Sequence, residues 1–423
     1  MYKSHSERSE ESSQNSNSGN FALLLIIFIT FICDFASLRL CEFLSYAKPQ
    51  RKFPSLRALR ENFLHAKFAK IQSIFFLSII LTCILCININ EARCQPRIRG
   101  FADTIGYATK DWQMNEFMNL IKKEEPEAGY APAKLIISPH DDNAYVKGMY
   151  NQLLSQITAR KIIFIGVCHK AKQFGLENKL IFDDFTHWSA PFGSIPVSDW
   201  RNKILAEIPE SMYQINDSAQ ALEHSVEGIL SILQYFNRNI EFVSILVPYS
   251  TLDRMKEMAG YLAKAITKIA RDENAEWGRD FAIVISNDAV HYGDEGWGGK
   301  NFAQYGTDTS GYKLALEHEH AIINSCLTGN ISIDKIENFV NSTVKESDFR
   351  EYKWTWCGRY SVPLGLLTSY YLQDAMSVKL SGSLLNYSTS IEGKPLDLSR
   401  IGMGTTAPAN LHHWVGYAAV VWR

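Results

Sequence analysis

Beyond residue 97, apolar residues fall into two kinds of pattern. Short runs, rich in β-branched residues and apolar on both faces, occupy 134–138 (KLIIS), 161–167 (KIIFIGV), 242–248 (FVSILVP) and 281–286 (FAIVIS). Runs of that length and composition predict strands covered on both sides, as in a parallel sheet. Between and after them apolar positions return at helical spacing, over 112–123, 147–157, 219–236, 252–270 and 310–327. Within 219–236, Val226, Ile229, Leu230, Leu233 and Phe236 share one helix face. Strand and helix alternate, so the expected fold class is α/β: a single large domain with a central, mainly parallel sheet flanked by helices. Segment 125–132 reads as a turn and 182–199 as an irregular stretch. Segment 351–423 is a tail rich in Trp, Gly and Tyr.

The first hundred residues follow a different pattern. Residues 1–20 are rich in Ser, Asn and Glu and read as disordered. The apolar run 21–33 is cut by Asp34 and is short for a membrane span. A basic stretch with Lys48, Arg51, Lys52, Arg57, Arg60, Lys67 and Lys70 leads into the apolar run 73–87. That order suggests a secretory signal peptide, or an uncleaved anchor with its basic flank on the cytoplasmic side. The expected organisation is a disordered, basic extension over 1–70, a signal peptide or membrane anchor over 71–96, and the α/β domain over 97–423. The protein is then exported, to the periplasm or beyond, or held at a membrane through this segment. A cytoplasmic location follows if the N-terminal extension is a gene-model artefact.

Composition narrows the picture modestly. The chain has 423 residues, 46% hydrophobic and 21% charged, enough for a large core. A net charge of −2 offers no electrostatic case for nucleic acid. Of the eight cysteines, Cys168, Cys326 and Cys357 lie in the domain. An odd number without CxxC spacing indicates neither a disulfide framework nor a structural zinc site.

The chemistry gathers where the apolar runs stop. Residues 134–138 end in Pro139-His140-Asp141-Asp142, residues 161–167 in Cys168-His169, and 281–286 in Asn287-Asp288-Ala289-Val290-His291. Ligands of open α/β sheets bind beyond the carboxyl ends of the strands, so these imidazoles are candidates for one shared site. His140 reads as a metal ligand or acid/base group oriented by Asp141 or Asp142, or as a loop histidine bonded to an aspartate. His169 is the better ligand of its pair, and Cys168 reads as core. Glu223-His224 at a helix start is a capping arrangement or an acid/base imidazole held by a carboxylate; taken alone, capping is preferred. Asp288 and His291, polar and directly beyond an apolar strand, favour function. Glu317-His318-Glu319-His320 reads as a solvated helix face, and His412-His413 stays outside the site. The aromatic segment around Arg359 reads as core packing, with a substrate wall and an anion anchor as the alternative.

Several blocks now fall into a familiar order. Pro139-His140, Gly166-x-x-His169, Pro191-Phe192-Gly193, Glu223-His224-Ser225-Val226-Glu227, Ile245-Leu246-Val247-Pro248 and Ser286-Asn287-Asp288-Ala289-Val290-His291-Tyr292-Gly293 resemble PHAGY, GPSH, TPxG, EHSIE, PILVG and SSDxxHxG of Memo-like proteins. That family includes AmmeMemoRadiSam system protein B. The resemblance covers residues 97–291, and the remainder looks like an elaborated branch. It implies a fold similar to class III extradiol dioxygenases and a redox-active metal, iron or copper, with zinc also acceptable. It implies His140 and His169 as metal ligands with His291 or Asp288 completing the set, and His224, beside Glu223, as the acid/base group. Some members carry a Cys directly before the last block's His; here Val290 stands there and cannot ligate. The implied function is a metal-dependent oxidoreductase of dioxygenase-like architecture acting on a small chelating substrate. The alternative is a non-catalytic module that binds metal or a peptide in interaction or redox signalling. Expected partners are a small-molecule substrate, no nucleic acid, and a membrane only through the N-terminal apolar segment.

Overall fold

Each central strand of the domain feeds two cores, because successive side chains point to opposite faces. Ile163 and Ile165 of the strand Lys161–Val167 join one buried cluster, while Ile162 and Phe164 join another. The computed structural model describes residues 96–124 and 132–423, with a few helical positions between Lys67 and Thr82. Its main sheet has ten strands: β1 (Leu135–Ser138), β2 (Lys161–Val167), β3 (Leu180–Phe182), β4 (Tyr213–Ile215), β5 (Glu241–Val247), β6 (Phe281–Ser286), β7 (His291–Gly293), β8 (Gly329–Asn330), β9 (Ser381–Thr389) and β10 (His413–Trp422). They lie in the order β8-β9-β10-β1-β6-β2-β5-β3-β4, and β7 pairs with β10 off that path.

The middle of the sheet is parallel, β1 to β6, β6 to β2 and β2 to β5. These are the four apolar runs seen in the sequence, and all four have both faces covered. The tail adds an antiparallel margin: β10 pairs with β1 (Trp422 opposite Leu135) and β9 with β10. β3 is antiparallel to β5 on the other side. The protein is therefore α/β, with a parallel centre and antiparallel borders.

Helices cover both faces. One layer holds α1 (Asp111–Glu124), α2 (Gly148–Leu154) and α4 (Glu227–Phe236), through Phe117, Ile121, Leu153, Ile229 and Leu233. The other holds α3 (Trp200–Glu207), α5 (Leu252–Asp272), α6 (Thr309–Cys326), α7 (Ile333–Thr343) and α8 (Ser361–Ala375). α5 begins at Thr251, whose hydroxyl accepts the Arg254 N–H at 3.3 Å, and buries Met255, Leu262 and Ile266 against the sheet. Each such side chain contributes roughly 2 kcal/mol on burial. α8 packs tightly on the sheet at Gly365, where a Cβ would fall 2.4 Å from the Ile285 side chain, so a larger residue fits only if Ile285 or the helix shifts.

The chain divides into two units, Met1–Cys94 and Gln95–Arg423. The expected apolar run 21–33 and most of the expected signal segment lie outside the described residues. The expected membrane contact through the N-terminal segment is corrected: among the described residues no helix is long and apolar enough to cross a membrane. The physical reason is length, since the run at 73–87 offers about 15 residues against the roughly 20 that a span requires.

Candidate metal centre

His140 follows the end of β1, His169 follows β2, and Asn287-Asp288 follow β6, all at the carboxyl edge of the parallel strands. The His140 and His169 ring centroids are 5.3 Å apart with their planes at 76°. His224 stacks on His169 at 4.6 Å and lies 5.6 Å from His140.

The hydrogen bonds define which nitrogen each ring presents. Ser286 Oγ donates to the Ser225 carbonyl at 2.5 Å, which commits its only proton. The same oxygen lies 2.8 Å from His140 Nδ1 and so accepts the proton there, leaving Nε2 as a free lone pair. Burial first, then the neighbouring imidazoles His169, His224 and His291, lower the His140 pKa well below the usual range, so this ring is neutral.

His169 is arranged in the same way by a different partner. Its Nδ1 is 2.8 Å from Glu223 Oε1, and its backbone N–H donates to Oε2 at 2.7 Å. Ser225 N–H donates to the same carboxylate at 2.9 Å. Burial alone would raise the Glu223 carboxyl, but the charge and hydrogen bond of His169 outweigh it and bring the pKa down to about 2. A carboxylate can only accept, so Nδ1 carries the proton and Nε2 of His169 faces outward. The helix α4 begins at Glu227, and Glu223 is turned toward His169 rather than capping it.

A third donor comes from a segment far along the chain. Cys357 Sγ lies 3.8 Å from His140 Nε2, and one donor atom each from His140, His169 and Cys357 falls within 4.8 Å of the others. His169, Glu223 and His224 form a second group of the same dimensions. Cys357 is held by the Asp288 backbone: Asp288 N–H donates to Sγ at 3.1 Å, and the thiol donates to the Asp288 carbonyl at 3.4 Å. Its neighbour Gly358 packs so closely on Asn287 that a Cβ would fall 2.3 Å from the Asn287 side-chain oxygen. Any larger residue there would push the thiol out of place. Burial, then the charge of Asp288, raises the thiol pKa well above its ordinary value, so a cation is needed to draw out its proton.

The other expected residues take varied positions. Asp288 Oδ1 accepts the His140 backbone N–H at 2.8 Å and Oδ2 lies 3.4 Å from Nε2, so it buttresses His140 and belongs to neither convergent group. His291 is also in neither group; it packs edge-on to Trp297 at 5.2 Å, and burial followed by the charge of His169 lowers its pKa to about 4. Asp141 and Asp142 do not orient the His140 ring: Asp141 accepts from Tyr417 OH at 2.6 Å, and Asp142 from Thr406 N–H at 2.5 Å. Val290 is buried, and its N–H donates to Glu319 Oε2 at 3.1 Å. Cys168 is buried as expected. Glu319 is wholly buried rather than solvated, accepting from Trp354 (2.5 Å), Trp356 (2.6 Å) and Tyr387 (3.0 Å). A cavity of about 430 Å³ opens beside these donors, lined by His169, Cys357, Tyr249, Tyr352 and Arg359 among others.

A family model described as Memo-like protein matches residues 104–407, most of the domain. The chain belongs to the Memo-like family. A MEMO1 family protein of Pyrococcus furiosus is 25% identical over 301 residues, 70% of this chain and 86% of the relative. One from Thermococcus onnurineus is 24% identical over 300 residues, 70% and 85% of the two chains. Another from Pyrobaculum aerophilum is 30% identical over 108 residues, 25% of this chain and 34% of that one. The match extends beyond the first 291 residues, so the Memo-like domain takes in the loop that carries Cys357.

Proposed function

We propose that this Memo-like protein holds a redox-active metal ion, iron or copper, through His140 Nε2, His169 Nε2 and Cys357 Sγ, and acts as an oxidoreductase on a small chelating substrate. The observation that carries the reading is the donor set: two imidazoles with Nδ1 already committed, and a thiol, converge within 4.8 Å. Imidazole with thiolate suits copper, iron and zinc better than a hard cation. When bound, the ion would supply a Lewis-acidic, one-electron centre beside the cavity that His169 and Cys357 line.

The surrounding residues have separable tasks. Ser286 and Glu223 keep both ring nitrogens aimed, as partners of ligating histidines do elsewhere. Asp288 holds the His140 backbone and the thiol together. His224 is the proton carrier: burial is the largest influence lowering its pKa, to about 4, so it enters the reaction as a neutral base.

Elemental analysis of the purified full chain tests the site. Bound metal is expected in the parent and lost in His140→Ala, His169→Ala and Cys357→Ala. Unchanged metal in the two histidine variants refutes the ligand set. Oxygen uptake by metal-loaded protein with catechol tests the activity, and His224→Ala should keep the metal while losing uptake. Metal binding with no oxygen uptake by the parent would leave a binding module and overturn the oxidoreductase.

A further inference from the structure

Among the described residues, one buried cation on the cavity wall has no counterion. Arg359 is 4% exposed, and among the described residues no carboxylate pairs with it. Its guanidinium lies 3.5 Å from the Tyr352 ring centroid, 4.6 Å from Tyr360 and 5.8 Å from Tyr249. Nη2 donates to the Arg350 carbonyl at 3.0 Å, and Nε has no hydrogen-bond partner. Of the cavity's other charges, Glu177 binds Arg350 at 2.5 and 2.8 Å, Asp348 faces Arg350 at 3.7 Å, Lys300 pairs with Glu351 at 3.4 Å, and Lys172 is exposed to water. Removing a cation from water without an anion is costly, and aromatic faces offset only part of that cost. Arginine cannot escape by losing its proton.

We infer that Arg359 is the anchor for a carboxylate on the substrate, and that the substrate is a small aromatic acid. The three tyrosines around Arg359 also line the cavity, giving a ring flat walls to lie against. The guanidinium fork matches a carboxylate. At about 430 Å³ the cavity has the size of a small-molecule site rather than of a groove for a folded partner. His169 and Cys357 line the same cavity, so an acid held by Arg359 presents its far side to them. The inference rests on the proposed function for what happens at that far side; the anion site itself does not.

Calorimetry on the full chain separates the two, with catechol, 3,4-dihydroxybenzoate, benzoate and inorganic phosphate as probes. On metal-loaded parent, 3,4-dihydroxybenzoate is expected to bind at least about tenfold tighter than catechol, the scale of one charge-assisted hydrogen bond. Arg359→Gln should abolish that advantage while metal content and catechol affinity stay unchanged, and Arg359→Lys should restore part of it. On metal-free protein, benzoate should bind the parent and not Arg359→Gln, so this arm survives even if no metal is ever found. Equal affinity for catechol and its carboxylated form in the parent overturns the inference, and needs no variant to fold. So does a carboxylate advantage that persists in Arg359→Gln. Phosphate binding tighter than benzoate overturns the choice of a carboxylate.

Discussion

Glu223 and Glu273 stand at opposite ends of β2, and both carboxyls are held at about 2 by different physics. Glu273 follows α5 and meets water: burial is the largest single influence and raises its carboxyl, but Lys203 at 2.6 Å, Trp200 at 2.9 Å and Lys161 at 3.2 Å together outweigh it. Glu223 is buried and reaches the same value through His169 and two backbone N–H groups. An exposed network of that kind is screened and adds little to stability. A buried carboxylate cannot rearrange cheaply, so it fixes the ring it touches. Equal shifts therefore mark an ordinary surface at one end of the strand and a built site at the other. Glu319 extends the comparison, being buried with three side-chain donors and a backbone N–H but no cation; there burial wins and raises its pKa.

Glu319→Ala should have the largest effect on stability. It leaves the Trp354 and Trp356 indoles and the Tyr387 hydroxyl without an acceptor, a loss of about 3 kcal/mol or more in urea unfolding. A loss under about 1 kcal/mol would show that this carboxylate is not what holds the Cys357 loop. Glu223→Gln comes next. A neutral amide no longer forces the proton onto His169 Nδ1, so metal affinity in a chelator competition should fall by about 10- to 100-fold. Unaltered affinity would reduce Glu223 to a structural residue. The smallest effect belongs to Glu273→Gln, about 0.5 kcal/mol with metal affinity unchanged. Its sign with pH is fixed: a depressed carboxyl adds stability above its ordinary value of 4.5 and loses it as pH falls toward about 2. Parent and variant should therefore converge in stability over that window; a gap that widens toward low pH would show the pair acting otherwise.

The central strands were legible because nothing competes with a continuous β-branched run; β2 and β6 match their predicted bounds. The tail strands were not. β9 (SGSLLNYST) mixes Gly, Ser and Asn among its apolar positions, while β10 (HWVGYAAVVW) carried a readable apolar signal that the Trp- and Gly-rich composition obscured. At the candidate site, His140 and His169 lie directly after readable strands, and the structure brings them together. Cys357 has no such cue, because it approaches His140 from a distant loop and no local spacing records that. Glu319 misled for a related reason: Glu317 and His320 on the same helix are exposed, and only its partners from other segments make it a buried acceptor.

The placement of β10 bears on how the molecule comes into being. It pairs with β1 on one side, β9 on the other and β7 at its start, so it closes the flank of the strand that leads to His140. During synthesis, a nascent chain that has emerged only through α8 has every ligand of the proposed centre, yet β1 still has a bare edge facing solvent. The strand that covers this edge, β10, thus contributes no donor to the proposed centre, yet the sheet around the strand that positions His140 is incomplete without it.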